Sequence, residues 1–428
     1  MGADWGAKRA LFLQGPTGPF FAGLMDELRA DGVRCHKVLL NRADEHWFRG
    51  PDLVPFRGTR DEWPAFLAKL LDELRIEAVF LFGDLRPIHR PVFPLCEERG
   101  IRVWVFEEGY LRPDYITVEL GGVNGNSPMS RDPEVFRRAL QELPPEEAVE
   151  PVGPAFGTMS WYSTVSALLV THLNQGYPHY EHHRNFNAWD QTAWWVRGWL
   201  RKHWFRWKER GELPLYTGPL RKKYWFLPLQ VHCDFQVMHS PFASIPEFAE
   251  HAISEFARLA EKEHHLVVKH HPMDRAYCDY TELMAELARK HGLGERLHYV
   301  HDVDLPAILA NALGTITMNS TVGIQSVEMG IPVKVLGNAV YDIPGMTFQG
   351  TLAEFLADPG TVDSEIYRGF RRYLRYHNTG NGSVWKKLPS HPDGSGCVWP
   401  PALRNGEAAR AFRSRSGSTP APQAKTGG

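Results

Sequence analysis

Short apolar runs that alternate with amphipathic stretches, each run closed by a polar turn, constrain this 428-residue chain more than any other feature. Ala10–Leu13 reads as a strand, Gly15–Gly18 as a glycine/proline turn and Phe20–Arg29 as an amphipathic helix. Arg34–Leu40 is a second strand, Trp63–Leu74 a helix, and Ala78–Phe82 a buried strand that ends at Gly83-Asp84. Pro91–Arg99 is helical, and Arg102–Phe106 is a strand that ends at Glu107-Glu108-Gly109. Strand, turn, helix and strand at this spacing predict βαβ units on a parallel sheet. The pattern fades between about Pro128 and Pro228, then resumes with strands at Leu227–His232, Leu266–His270, Leu297–Val300, Gly314–Met318 and Val333–Leu336. Helical patterns at Pro246–Glu261, Tyr280–His291, Leu305–Ala312 and Thr321–Gly330 fill the intervals.

The fold class expected is therefore α/β with two domains. The N-terminal domain is placed at 8–225, with an aromatic and basic insertion at about 155–225, and the C-terminal domain at 226–350. Leu352–Leu356 and Glu365–His377 lie in a closing helical segment, 351–390. Residues 400–428, rich in Ser, Gly, Pro, Ala and Arg without periodicity, read as a disordered tail. Ligands of open parallel sheets bind outside the carboxyl ends of the strands, so the turns are where chemistry is sought.

A formal charge of −2 argues against a dedicated nucleic-acid binder, whose affinity needs a basic footprint. The five cysteines, Cys35, Cys96, Cys233, Cys278 and Cys397, show no C-x-x-C spacing, which argues against a disulfide framework or structural zinc. No metal site and no cofactor are expected. Ala10–Leu13 is too short for a secretory core, and no run approaches the roughly 20 apolar residues of a membrane span. Any membrane contact is expected to be peripheral.

Several turns carry residues suited to chemistry. In Leu266–Asp274 a strand ends in His270-His271-Pro272, where proline fixes the turn and an imidazole can meet a phosphate or base; a simple turn cap is the alternative. In Ile316–Gly330 the residues Asn319, Ser320 and Thr321 stand between a strand and a helix, a position suited to an anion or to plain N-capping. Gly323 in that segment would let backbone come close to a ligand. Asp234 follows the strand that opens the second domain and is a candidate nucleophile or base, or else a turn-former. Glu107 and Glu108 end a strand of the first domain, and paired carboxylates raise one another's pKa. Gly15 and Gly18 sit in a loop that is neither G-x-G-x-x-G nor a P-loop, and reads as an open acceptor-side loop. Trp194–Gly211 mixes tryptophan with basic residues. Trp195, Trp199, Arg201, Lys202, Trp204 and Arg206 read as a membrane-facing surface, because tryptophan favours the lipid interface and each basic residue adds about 1 kcal/mol on anionic headgroups. A helix packing its tryptophans inward is the alternative.

FEEGYLRP at 106–113, QVHCDFQ at 230–236, VKHHPMD at 268–274 and TMNSTVGIQSVEMGIPVKVLG at 317–337, in this order, resemble the bacterial capsule-polysaccharide β-Kdo transferase family. The resemblance covers roughly residues 8–385. It implies two Rossmann-like domains facing a cleft (GT-B-like), CMP-β-Kdo as donor substrate and transfer with retention. For the enzyme that starts the lipid-linked capsule anchor, it implies phosphatidylglycerol or lyso-phosphatidylglycerol as acceptor, at the cytoplasmic face of the inner membrane. The second capsule Kdo transferase and the export machinery are further partners it implies. Carried over by position, Asp234 matches the catalytic aspartate, and Glu107 the carboxylate that is the candidate base for the acceptor. His271 and Pro272 match the His-Pro motif that holds CMP, and Ser320 and Thr321 the hydroxyl motif that contacts the donor. Lys269 is inferred to partner the donor's negative charge, and Glu108 and Arg112 stand on the acceptor side. His232-Cys233 and Gln325 depart from the acidic residues often found at those places in the family. A nucleotide-sugar epimerase of similar fold and a non-catalytic lipid-binding assembly factor are the competing readings.

Overall fold

The computed structural model describes residues 3–182 and 188–410. Its strands are β1 (Arg9–Phe12), β2 (Arg34–Leu39), β3 (Leu53–Pro55), β4 (Ala78–Phe82), β5 (Arg102–Glu108), β6 (Tyr115–Leu120), β7 (Tyr224–Pro228), β8 (His265–Lys269), β9 (Leu297–Val300), β10 (Gly314–Thr317), β11 (Val333–Val335) and β12 (Thr379–Asn381). They form a seven-stranded sheet in the order β12-β6-β5-β4-β1-β2-β3 and a five-stranded sheet in the order β11-β10-β7-β8-β9.

The chain divides by contacts into two compact units. In the first, β1 lies between β4 and β2, all parallel, and β6 runs antiparallel to β5. Alternate side chains of β1 enter two cores, Ala10 and Phe12 on one face and Leu11 and Leu13 on the other. That double burial is why the strands read as continuous apolar runs rather than alternating ones. In the second unit every strand pair is parallel. Trp225 and Leu227 of β7 enter one core, Tyr224 and Phe226 the other. The Ile245–Leu259 helix covers one face through Ile245, Phe248, Ala252 and Phe256 at helical spacing, with Ser244 as N-cap accepting from Glu247 N.

Both sheets reverse strand order beside their first strand, between β1 and β4 in one and between β7 and β10 in the other. At such a reversal, neighbouring crossovers leave to opposite faces and a crevice opens at the carboxyl ends.

The contact division falls elsewhere than the boundary expected at residue 225. Residues 188–373 group with the second sheet, because the Ala188–Lys208 helix packs on the turn after β8. Residues 374–410 return to the first unit, because β12 pairs antiparallel with β6 and Val384, Cys397, Trp399 and Leu403 enter its core. The expected tail begins later than 400, since Pro401–Arg404 is helical with Ala402 and Leu403 buried. Residues 411–428, where the rest of that tail was placed, lie outside the described residues. The stretch where periodicity faded holds helices Pro133–Glu142, Phe156–His172, Ala188–Lys208 and Leu213–Thr217.

Candidate functional site

The order reversal of the second sheet carries the densest set of expected residues. β7 ends at Pro228, four residues earlier than its apolar run suggests, so QVHCDFQ lies in the turn beyond it. Leu229 N still donates to Lys269 O at 2.9 Å, and Asp234 N then donates to Val231 O at 2.9 Å, closing a turn over Val231–Asp234. The Asp234 carboxylate is fixed from two sides. Gln230 Nε2 donates to its Oδ2 at 3.2 Å, and Gln236 N to its Oδ1 at 2.9 Å.

The same glutamines reach β10. Asn319 N donates to Gln230 Oε1 at 3.4 Å, and Asn319 Nδ2 to Gln236 O at 2.8 Å. Asn319 is buried, and its Oδ1 is an acceptor without a partner among the described residues. A buried acceptor left open at the carboxyl edge of a parallel sheet is suited to a ligand's N–H or O–H, since leaving it unmade costs about 1–3 kcal/mol.

In the turn after the neighbouring β8, His271 Nδ1 accepts from Met273 N at 3.2 Å, so the half-buried imidazole caps its own turn. Pro272 is exposed beside it. Asp274, two residues on, is deeply buried and ties this turn to the β7 turn: His232 N donates to Oδ2 at 2.8 Å, and His232 Nδ1 lies 2.6 Å from Oδ1. Burial pushes the Asp274 carboxyl up, and the bonds from His232 oppose that shift. His232, Asp274 and Cys278 bring N, O and S donors within 4.8 Å of one another, a set that could hold a metal among the described residues. Both Asp274 oxygens are already engaged by His232, so the geometry is that of a hydrogen-bonded pair.

Several expected roles change. Lys269 is buried, donates Nζ to His301 O at 2.9 Å and is lowered to about 8 by burial and by Arg275; it holds the end of β9 rather than facing a ligand. Gly323 is needed for packing: a Cβ there would stand 2.2 Å from Tyr341 Oη, which donates to Ser320 O at 2.5 Å. The N–H groups at the helix start are not free. Val322 N goes to Ser320 Oγ, Gly323 N to Ser320 O and Ile324 N to Thr321 O. Ser320 and Thr321 are half-buried at the edge, and the Ser320 hydroxyl already accepts from Val322 N, so side chains rather than free backbone N–H groups are what this turn offers.

In the first unit Glu107 and Glu108 lie within β5, not after it, and successive strand residues point to opposite faces. They do not form a carboxylate pair. Glu107 sits beside Gly83, and its Oε1 accepts from Glu108 N at 3.0 Å. Glu108 pairs with Arg112 at 2.8 Å and accepts from Trp385 Nε1 at 3.4 Å. The loop of Gly15 and Gly18 is closed by aromatic rings, since a Cβ would meet Phe21 at 2.7 Å or Tyr162 at 2.5 Å. Arg86 donates to Gly15 O at 3.0 Å.

The Ala188–Lys208 helix has two distinct faces. Gly198 approaches Ala276, Phe205 stacks on His301 with centroids 3.5 Å apart, and Arg201 donates to Arg275 O and Cys278 O and pairs with Asp279. Arg201 therefore faces inward, against expectation. Just past the helix, Glu209 accepts from His301 N and Asp302 N. The outward face shows Trp199 61% and Trp204 56% exposed, together with Trp189, Val196, Leu200 and Trp207. Lys202 is exposed, Arg206 is exposed but paired with Asp302 at 3.2 Å, and Trp195 is half-buried.

The family described as "Capsule polysaccharide biosynthesis protein" matches residues 77–385. The Escherichia coli "Capsule polysaccharide export protein KpsS" is 37% identical over 372 residues, 86% of this chain and 94% of its own length. This chain belongs to the capsule polysaccharide biosynthesis family. A further relative in that family is the Neisseria meningitidis serogroup B "Capsule polysaccharide modification protein LipB", 36% identical over 388 residues, 89% of this chain and 93% of its own. Among solved structures, Thermosulfurimonas dismutans KpsC, "beta Kdo 2,4 transferase", aligns at TM-score 0.40 and 12% identity over 85% of this chain and 89% of that one. The family match runs from β4 through every motif named above. The bonding around Asp234 adds Gln230, Gln236, His232 and Asp274 to the capsule-family residues expected from sequence. The two glutamines flank Asp234 inside a motif already singled out, but only the turn geometry reveals what they do.

Proposed function

We propose that this capsule-family protein is a retaining glycosyltransferase that moves β-Kdo from CMP-Kdo to phosphatidylglycerol and so begins the glycolipid anchor of the capsule. The observation that carries the reading is the Asp234 carboxylate, held by Gln230 and Gln236 at the β7/β10 reversal, with the His271-Pro272 turn on adjacent β8. In the first step Asp234 attacks the anomeric carbon and CMP leaves. In the second the acceptor hydroxyl displaces Asp234, and two inversions give retention. His271 and Pro272 serve CMP, and Ser320 and Thr321 the donor's phosphate or carboxylate. Asn319 Oδ1 accepts from a sugar hydroxyl. Glu107 is the base expected from sequence for the second step, with Glu108 and Arg112 near the acceptor.

The outward tryptophans of the Ala188–Lys208 helix suit the headgroup layer of the inner membrane, on its cytoplasmic face. No helix among the described residues is long and apolar enough to cross a membrane. Replacing Trp199 and Trp204 by Ser should lower binding to anionic vesicles about tenfold or more in a sedimentation assay, since each buried indole contributes on the order of 1–3 kcal/mol. Unchanged binding would remove this helix from the interface.

Incubation with CMP-Kdo and phosphatidylglycerol vesicles, read by mass spectrometry, should give a Kdo-lipid and CMP. Asp234→Ala should abolish the product while CMP affinity, measured by calorimetry, stays within about twofold, because the aspartate acts on the sugar carbon. Full turnover in that variant, or release of a free rearranged sugar without lipid, would defeat the assignment.

A further inference from the structure

The Val231–Asp234 turn sends two side chains apart. Asp234 is tied toward β10 through Gln230, Gln236 and Asn319. His232 is tied the other way, to Asp274 in the turn after β8, through both its backbone N and its ring Nδ1. The Asp274 side chain is 1% exposed, whereas the His232 side chain is 37% exposed. An ionised carboxylate only accepts, so Nδ1 carries the hydrogen, and in the neutral ring it is Nε2 that holds the lone pair. A buried acid that orients an imidazole whose other nitrogen can reach solvent is the usual build of a general base. Tyr277 packs against the ring at 5.3 Å and limits its rotation.

Resting on the two-step reading above, we propose that His232 is the catalytic base of the second step, with Asp274 as its positioning residue. His232 Nε2 takes the proton of the acceptor hydroxyl. The acceptor oxygen bonds to the anomeric carbon as the bond from that carbon to Asp234 Oδ breaks, and its electron pair returns to the carboxylate. The proton then passes from the part-exposed imidazole to water. Retention requires the acceptor to enter on the face that the phosphate vacated, opposite Asp234. The two side chains leave their shared turn toward different strands, and the β8 side, where His232 lies, is the side given to the departing CMP through the His271-Pro272 turn. The base then belongs to the turn that carries the nucleophile, and Glu107 is not needed for that proton.

The test separates the two half-reactions. With CMP-Kdo alone, His232→Ala should form the Asp234 glycosyl adduct, seen by intact mass, within about twofold of the wild-type rate. Its kcat with phosphatidylglycerol vesicles should fall about 10²–10⁴-fold, the usual contribution of a general base. Added imidazole should restore at least about tenfold of that loss, which repair of a merely structural defect would not do. Asp274→Asn, which reverses the hydrogen bond to Nδ1, should also let the adduct accumulate. His232→Asn, whose amide can keep the bond to Asp274, serves where the alanine variant does not fold. Wild-type kcat in His232→Asn, or adduct formation lost in step with transfer, overturns the proposal. Adduct accumulation in Glu107→Gln with His232 intact overturns it too, and gives the role to Glu107. If the wild-type protein forms neither adduct nor Kdo-lipid, the two-step reading itself fails, a different outcome from any of these.

Discussion

His301 makes the acid stability of the second unit calculable. Its side chain follows β9, is 2% exposed and lies between the rings of Phe205, at 3.5 Å, and His270, at 4.6 Å. Burial, and then the neighbouring His270, lower its pKa from 6.5 to about 2. Burial likewise lowers His270 to about 4. In the unfolded chain His301 binds its proton below pH 6.5, while the folded protein keeps it neutral, so stability falls as pH drops through that window. Both folded values lie below pH 5, so the loss between 6.5 and 5 follows from the unfolded value alone: about 1.5 units at 1.36 kcal/mol each, or about 2 kcal/mol. His301→Phe keeps the stack on Phe205 and removes the titration. The Nδ1 atom has no partner among the described residues, so no hydrogen bond to it is lost and the variant should be at least as stable at pH 7.5. Urea unfolding at pH 7.5 and pH 5, followed by tryptophan fluorescence, should show an acid-induced loss about 2 kcal/mol smaller in the variant than in the wild type. An equal loss in both would mean that His301 is protonated in the folded protein, and the buried-neutral assignment would be wrong.

Two further substitutions probe the frame of the site. Gly323→Ala drives a Cβ into Tyr341 Oη and disturbs the bond to Ser320 O, so thermal unfolding should report a loss of about 1–3 kcal/mol; a wild-type midpoint would show that Tyr341 is free to move. Glu209→Ala leaves the N–H groups of His301 and Asp302 without their acceptor, at about 1–3 kcal/mol each, and should raise protease cleavage around residues 188–210. Resistance equal to the wild type would show that Phe205 and Arg201 hold the helix by themselves.

The central parallel strands were legible because they are buried on both faces, whereas β3, a parallel edge strand of three residues that is half-buried to exposed, was not. Ala78–Phe82 and Leu297–Val300 end where their apolar runs end. β12 was not legible: Thr-Gly-Asn has no apolar signal and becomes a strand only by pairing with β6, more than 250 residues earlier in the chain. The same distinction runs through the site. Residue type and spacing located the turns that carry Asp234, His271 and Ser320, since a polar break after a buried run is a local property. The partner of each polar group is not local. Lys269 reads as a charge offered to a ligand until β9 supplies the carbonyl that takes it. Arg201 reads as a membrane cation, yet it lies near one helical face with Gly198, Phe205 and Glu209, a spacing of three to four that could have marked it as inward-facing. Composition put Arg201 with Trp195, Trp199, Lys202, Trp204 and Arg206 on one membrane-facing surface, whereas periodicity divides the helix into an anchored face and an exposed one. Asp274 is the opposite case. Nothing in its sequence neighbourhood indicates that a residue 42 positions away will present two N–H groups to it. A buried acid with that partner follows only once β7 and β8 are neighbours, so a base held by it had to be found in the fold.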